Sequence, residues 1–251
     1  MNMKSSAPNT PGKRVLLLLP AYNEAAYLPE LCRELKANCP GVDVVAVDDG
    51  SSDATSAVAR ENGLKVLRHP FNLGDGAARH TGYIYAMRKG YDFVVQLDAD
   101  GQHDPADIAA LLRPVLDGEA DLTIGSRFLK NADYRPTAAK RVGMALFNAL
   151  ASLLTGLRIT DSTSGFRAAN RKVIEFYSLP EFYPTSYPDA DLIILSHAAG
   201  LRIREVPVSM RHSRKPLPLH HGMAAFYYVF KMFLSISVTL LRAKPARPEE
   251  K

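Results

Sequence analysis

The chain has 251 residues, 47% of them apolar and 23% charged, a soluble composition long enough to bury one real core and short for two. Lys and Arg number 31 against 26 Asp and Glu, a formal +5 that suits an anionic partner, while Cys32 and Cys39 alone, with no CxxC pair, exclude a disulfide-stapled scaffold and fit a reducing compartment. The polar stretch before Lys13 lacks the apolar core of a signal peptide, so a cytoplasmic protein is expected.

Arg14 to Leu19 is a short apolar run ending at Pro20, and Val42 to Val47 is another ending at Asp48, the pattern of strands buried on both faces. Leu64 to Leu67 and Phe93 to Leu97 repeat it. Helical stretches lie between them: Leu28 to Ala37, Ala54 to Glu61 behind a Ser52 or Asp53 cap, and Gly76 to Lys89. This alternation predicts a mostly parallel sheet with helices on both faces and a ligand at the carboxyl ends of its strands. Polar clusters stand there: Tyr22, Asn23 and Glu24 after the first run, Asp48 and Asp49 after the second, Asp98 and Asp100 after the fourth. Farther on, Asp121 to Ser126 reads as a strand, Thr137 to Leu154 as a helix, Asp161 to Phe166 as a polar loop and Leu201 to Val208 as a strand. Pro216 and Pro218 keep Lys215 to Pro218 irregular.

Asp98-Ala99-Asp100-Gly101-Gln102-His103-Asp104-Pro105 follows the run Phe93 to Leu97 directly. Two carboxylates at i and i+2 on a strand end, with a glycine to turn the chain, can converge on one hard divalent cation, and oxygen ligands favour Mg2+ or Mn2+ over zinc. The alternative is that these acids cap a helix starting near Pro105, which suits Asp104. An EF-hand is excluded, because with Asp98 first, His103 falls where Gly is required and Ala109 where Glu is required. Asp48-Asp49-Gly50-Ser51-Ser52-Asp53 is either an ordinary strand-to-helix turn or a carboxylate reaching a ribose or base. Asn72-Leu73-Gly74-Asp75-Gly76 lacks the GxGxxG spacing and no GxxxxGK[ST] exists, which weakens dinucleotide and P-loop readings. The histidines show no ligand spacing, and His103 reads as a neighbour of the acids.

In order, Pro20-Ala21-Tyr22-Asn23-Glu24, the Asp48 to Thr55 segment, Asn72-Leu73-Gly74, the Asp98 to Pro105 segment, Gly125-Ser126-Arg127 and Asp161-Ser162-Thr163-Ser164-Gly165-Phe166-Arg167 resemble family 2 glycosyltransferases, most closely the dolichyl-phosphate mannose synthase branch. The resemblance covers residues 13 to 212 and implies an α/β GT-A fold, a nucleotide-sugar donor and a polyprenyl phosphate acceptor. It places Pro20, Tyr22 and Glu24 at the nucleotide, Asp48 at base or ribose, Asp98 at the donor, and Asp98, Asp100 and Gln102 at the metal and diphosphate, with Asp100 catalytic. Arg127 and Arg141 match arginines that serve the acceptor phosphate; the alternative for both is a solvated surface charge. Two departures stand out: Asp75, where many relatives carry a basic residue, and Arg211 to Pro216, which keeps only part of an Arg-x-x-Gly-x-Ser pattern. A phosphate nucleophile is already ionised and needs no base, whereas a saccharide hydroxyl would call on Asp189 or Asp191, which otherwise read as turn and helix-start acids. A non-catalytic binding module would be expected to have lost part of the metal motif, and Asp98, Asp100 and Gln102 are all present.

From Leu192 onward ten basic residues stand against three acidic ones, a local +7 that leaves residues 1–191 at −2. Within Ala224 to Arg242, Lys231, Ser235, Thr239 and Arg242 share one helical face opposite an aromatic and aliphatic one. Such a helix either lies in a membrane interface, with Arg211 to Lys215 meeting lipid phosphates, or docks on protein. The expected organisation is residues 1–12 as a flexible start, 13–212 as the catalytic domain, 213–242 as a basic loop and interfacial helix, and 243–251 as a tail. The partners are then a nucleotide sugar, a lipid-linked phosphate and a membrane surface, with nucleic acid excluded.

Overall fold

The computed structural model describes residues 12–129, 138–184, 188–211, 234 and 236–238. In chain order the elements are β1 (Val15–Ala21), α1 (Leu28–Asn38), β2 (Asp43–Asp48), α2 (Thr55–Glu61), β3 (Lys65–Arg68), α3 (Asp75–Arg88) and β4 (Phe93–Gln96). A 3-10 turn over Pro105–Asp107 then leads into α4 (Ile108–Leu116), β5 (Leu122–Ser126) and α5 (Ala138–Thr155). The chain continues as β6 (Arg167–Asn170), α6 (Arg171–Tyr177), α7 (Ala190–Ala198) and β7 (Ile203–Pro207). The sheet runs β3-β2-β1-β4-β6-β5-β7. All neighbours are parallel except β6, which is antiparallel to both β4 and β5.

Alternation along the strands separates two cores. Leu16, Leu18, Val45, Val47 and Val94 face α3, α5, α6 and α7, while Val15, Leu17, Leu19, Ala46 and Val95 face α1, α2 and α4. Every β1 residue is buried, and each such aliphatic side chain contributes about 1.5–3 kcal/mol. Helix α1 presents Leu28, Leu31, Cys32 and Leu35 inward at helical spacing. Gly82 lets α3 lie directly on β1, since a Cβ there would come within 2.1 Å of a Leu18 methyl.

Three details differ from the periodicity reading. Strand β1 runs through Pro20 to Ala21, because its last pair with β4 is Leu18 with Gln96 while pairing to β2 continues to Ala21. Leu18 O accepts from Leu97 N on the β4 side, so the nitrogen of Pro20, two residues on, points past the end of β4, where no donor is needed. Strand β6 has four residues, Arg-Ala-Ala-Asn, with no apolar alternation, and is a strand because β4 and β5 hydrogen-bond it from both sides. Helix α6, also unanticipated, starts on an Asn170 cap whose side chain accepts from Val173 N. The expected segments 1–12, 213–242 and 243–251 lie almost wholly outside the described residues; of the C-terminal segment, helical Ile236 is buried in the α5 and α7 core, whereas Leu234 and Val238 are exposed.

Candidate active site

Strand order reverses at β1, with β2 on one side and β4 on the other, so a crevice opens at the carboxyl ends of these strands. Tyr22 to Glu24, Asp48 to Ser52 and Asp98 to Gln102 all leave the sheet there.

The first two segments are stitched together. Asn23 takes a left-handed conformation (φ 57°), which Asn tolerates better than most residues; its Oδ1 accepts from Ser52 N at 2.9 Å and its N–H donates to Ser51 Oγ at 2.9 Å. Glu24, buried, donates its N–H to Thr55 Oγ1 at 2.8 Å. Pro20 is buried in β1, and Tyr22 is exposed at the rim. Asp48 is buried, accepting from Ser51 N at 2.9 Å and from the Ser56 hydroxyl, with Arg68 at 3.7 Å. Burial alone would raise its pKa, but the Ser51 and Ser56 bonds and the Arg68 charge outweigh it and hold the carboxyl below its ordinary value. Asp49 ties the next loop down, accepting from Leu73 N at 2.9 Å, Gly74 N at 2.8 Å and the His69 ring at 2.6 Å.

Asp98, just past β4, meets Arg79 Nη2 at 3.4 Å and His103 Nε2 at 3.2 Å. Arg79, buried on α3, is also 2.8 Å from Asp75, which opens to the crevice. Crowding by the surrounding protein and the charges of Asp98 and Asp189 push Asp75 up to about 6, against the pull of Arg79. His103 is buried, packed against Phe166 and held by a backbone bridge to Met210. Gly165 roofs this cluster: a Cβ there would lie 2.9 and 3.0 Å from the Asp98 oxygens and 3.2 Å from Arg79 Nη2. Gln96 on β4 secures it by donating to Gly165 O at 2.8 Å. Asp100 accepts from Gln102 N at 3.1 Å, turning the loop across Gly101, and Asp104 caps the following turn through Ala106 N, as its sequence position suggested.

Arg127, at the end of β5, is buried. Its Nε and Nη2 reach the two oxygens of Asp161 at 2.6 Å each, and Nη2 also donates to Thr163 Oγ1 at 2.7 Å. Glu205 on β7 accepts from Thr160 N at 2.9 Å and Asp161 N at 2.8 Å, bracing the same loop. Arg167, buried on β6, donates to the carbonyls of Ser164 (3.0 Å) and Pro188 (3.1 Å), joining this loop to the start of α7. Arg141 is exposed near the start of α5. Asp191 has no exposure and accepts from Asp189 N at 3.0 Å and Leu192 N at 2.8 Å, so its carboxyl is tied to the backbone of the first turn of α7; half-buried Asp189 faces Arg79 and Asp75 electrostatically. The structure thus gathers Tyr22, Glu24, Asp48, Asp98, Asp100 and Gln102 at one crevice and puts Arg127 in a loop-holding ion pair. Arg79 and Gln96 enter the site with no motif of their own, while Asp161 and Gly165 belong to the Asp161 to Arg167 segment already singled out in sequence; only the fold brings all four to Asp98 and Arg127.

The donor set suits a divalent cation: Asp98, Asp100 and Gln102 offer hard oxygens beside an open crevice. No three His, Cys, Asp or Glu side chains among the described residues converge on one point. Mg2+ and Mn2+ are commonly held by one or two carboxylates together with water and substrate phosphates, which is the chemistry this donor set offers. A cavity of about 600 Å3 lined by Leu35, Cys39, Val44 and Tyr85 lies at the opposite, amino ends of the strands and takes no part in this cluster.

A mostly parallel sheet with helices on both faces and an acid pair at the end of the strand beside its switch point is a GT-A-like architecture. Residues 17–177 match the model of glycosyl transferase family 2, and the chain belongs to that family. It is similar to polyprenol monophosphomannose synthase of Mycolicibacterium smegmatis, 35% identical over 207 residues, 79% of this chain and 78% of that one. It also resembles undecaprenyl-phosphate mannosyltransferase of Micrococcus luteus, 33% identical over 204 residues, 78% and 83% of the two chains. With UDP-N-acetylglucosamine--dolichyl-phosphate N-acetylglucosaminyltransferase of Methanococcus voltae it shares 29% identity over 244 residues, 90% and 97% of the two chains. Among solved structures, glucosyl-3-phosphoglycerate synthase from Mycobacterium tuberculosis, in complex with Mn2+ and UDP-glucose, superposes with a TM-score of 0.71 at 23% identity, covering 91% of this chain and 79% of that one, a likeness of fold.

Proposed function

We propose that this glycosyltransferase moves a sugar from a nucleotide-sugar donor to a polyprenyl phosphate, with inversion at the anomeric carbon, at the cytoplasmic face of a membrane and with Mg2+ or Mn2+. The observation that carries the donor half is the Asp98 and Asp100 pair at the end of β4, open to the switch-point crevice. Relatives named for polyprenol, undecaprenyl-phosphate and dolichyl-phosphate acceptors support the other half.

In this reading Pro20, Tyr22 and Glu24 shape the nucleotide side, and buried Asp48 acts through the 49–52 loop whose turn it closes. A divalent cation at Asp98, Asp100 and Gln102 supplies charge neutralisation for the departing diphosphate. An oxygen of the acceptor phosphate forms the new bond to the sugar's anomeric carbon as the bond to the diphosphate breaks on the opposite face. That oxygen is already ionised near neutral pH, so no side chain need remove a proton. Arg141, exposed on α5, is the arginine open to the acceptor phosphate, and Arg127 serves it by fixing the 161–166 loop.

The test is a panel of radiolabelled GDP-mannose, UDP-glucose, UDP-N-acetylglucosamine and dTDP-rhamnose, each with polyprenyl phosphate and organic extraction. One label is expected in the organic phase, reduced roughly 100-fold or more in Asp100→Ala. Near-normal turnover of that variant with added Mn2+ overturns the metal assignment, and label that moves only to a saccharide hydroxyl overturns the lipid acceptor.

A further inference from the structure

Arg79 is placed by its carboxylates at the expense of its own donors. Its side chain is 8% exposed, and a single nitrogen, Nη2, serves Asp75 at 2.8 Å and Asp98 at 3.4 Å. Its Nε is buried with no hydrogen-bond partner, a state that costs free energy and marks a side chain fixed by other demands. Gly165 closes over the pair, so the guanidinium has no room to turn aside on that face. An arginine guanidinium stays charged in proteins, so the positive charge beside Asp98 is a fixed feature of the crevice.

A fixed positive charge against a carboxylate does two things to a dication. It orients the carboxylate while the ion is absent, and it repels the ion when it arrives. Asp75 offsets part of that repulsion, being the nearer partner of the same nitrogen. The repulsion is further offset once a diphosphate brings its own negative charge to the crevice.

We propose that Arg79, tuned by Asp75, sets the divalent-cation affinity of the Asp98 and Asp100 site so that the cation is taken together with the nucleoside diphosphate rather than alone. This rests on reading Asp98 and Asp100 as cation ligands. Arg79 is a positioning residue here, acting on the cation through Asp98.

The experiment is Mn2+ titration of the full chain by electron paramagnetic resonance, alone and with UDP or GDP, for wild type, Arg79→Gln, Arg79→Lys and Asp75→Asn. Arg79→Gln is expected to bind Mn2+ alone about tenfold tighter and Asp75→Asn several-fold weaker, with Arg79→Lys, which keeps the charge, within about threefold of wild type. The diphosphate should improve Mn2+ binding more in wild type than in Arg79→Gln. A purely structural Arg79 would make Gln and Lys both weaken binding; that result, or unchanged affinity in Arg79→Gln, overturns the proposal. Should Arg79→Gln fail to fold, Asp75→Asn decides: weaker binding supports the proposal and unchanged or tighter binding overturns it. Wild type that binds no Mn2+ in any arm overturns the cation reading itself, whereas wild-type binding without the Arg79→Gln gain overturns only this inference.

Discussion

Gly165 has no side chain at the place where the 161–166 loop crosses the Asp98 carboxylate. Its backbone conformation does not require glycine; the contact does, because a methyl would sit a few tenths of an ångström too close to both Asp98 oxygens. Gly165→Ala is expected to push Asp98 and the loop apart by tenths of an ångström, costing about 1–3 kcal/mol of stability. With Asp98 in its proposed role at the cation, sugar transfer should fall about tenfold or more, because a misplacement of that size at a reacting site is felt directly by the chemistry. Thermal melting and transfer assays in parallel check it, and full activity in a folded variant would refute the close contact. The Arg127 and Asp161 pair carries a related lesson. Arg127 reads as a site residue in sequence, and in the fold its guanidinium meets Asp161 side-on through Nε and Nη2, an ion pair that holds the loop in shape.

Among the elements, β5, β6 and β7 are held at one end by Asp121. It accepts from Arg202 N at 2.9 Å, Arg202 Nε and Nη2 at 3.0 Å each, and Asn170 Nδ2 at 2.8 Å. Burial would raise its pKa, but the bonds from Arg202 and Asn170 and the Arg202 charge win and lower it below 3.8. An acid depressed in the folded state stabilises fully above its unfolded value and loses that contribution as pH falls through the folded one. Asp121→Ala is therefore expected to lose about 2 kcal/mol at neutral pH, a charge-assisted set discounted for the exposure of Arg202. The difference from wild type should close as pH is taken down below 3.8, which denaturant titrations at several pH values would show. A gap that persists at low pH would place the stabilisation in packing instead. The same three strands show why sequence periodicity failed locally: β6 is short and carries Ala168 and Ala169, so its strand character comes from the partners on either side.

For the whole molecule, the uneven charge becomes a question of what the basic C-terminal segment meets. Buried Ile236 shows that part of this segment packs on the protein, while Leu234, 53% exposed, and Val238, 42% exposed, leave apolar surface outward. Among the described residues no helix is long and apolar enough to cross a membrane. With a lipid phosphate as acceptor, Lys231 and Arg242 are expected to favour an anionic surface by about 1 kcal/mol each. Reversing both, in Lys231→Glu with Arg242→Glu, should weaken binding to anionic vesicles at least tenfold. Vesicle flotation of the full chain reads this, and unchanged binding would assign the segment to protein contact alone.

The sequence by itself determined the alternation of strands and helices, the positions of the polar strand ends and, through the ordered motifs, the family. These are local or order-encoded properties: apolar runs, turn residues and acids adjacent in the chain. Only the tertiary structure decided which residues share the crevice. Arg79, Gly165 and Asp98 lie on a helix, a loop and a strand end far apart in sequence, and no period or spacing links them. Their partnership is fixed by the sheet order and by the absence of a single Cβ at Gly165, which lets one carboxylate, one guanidinium and one backbone meet.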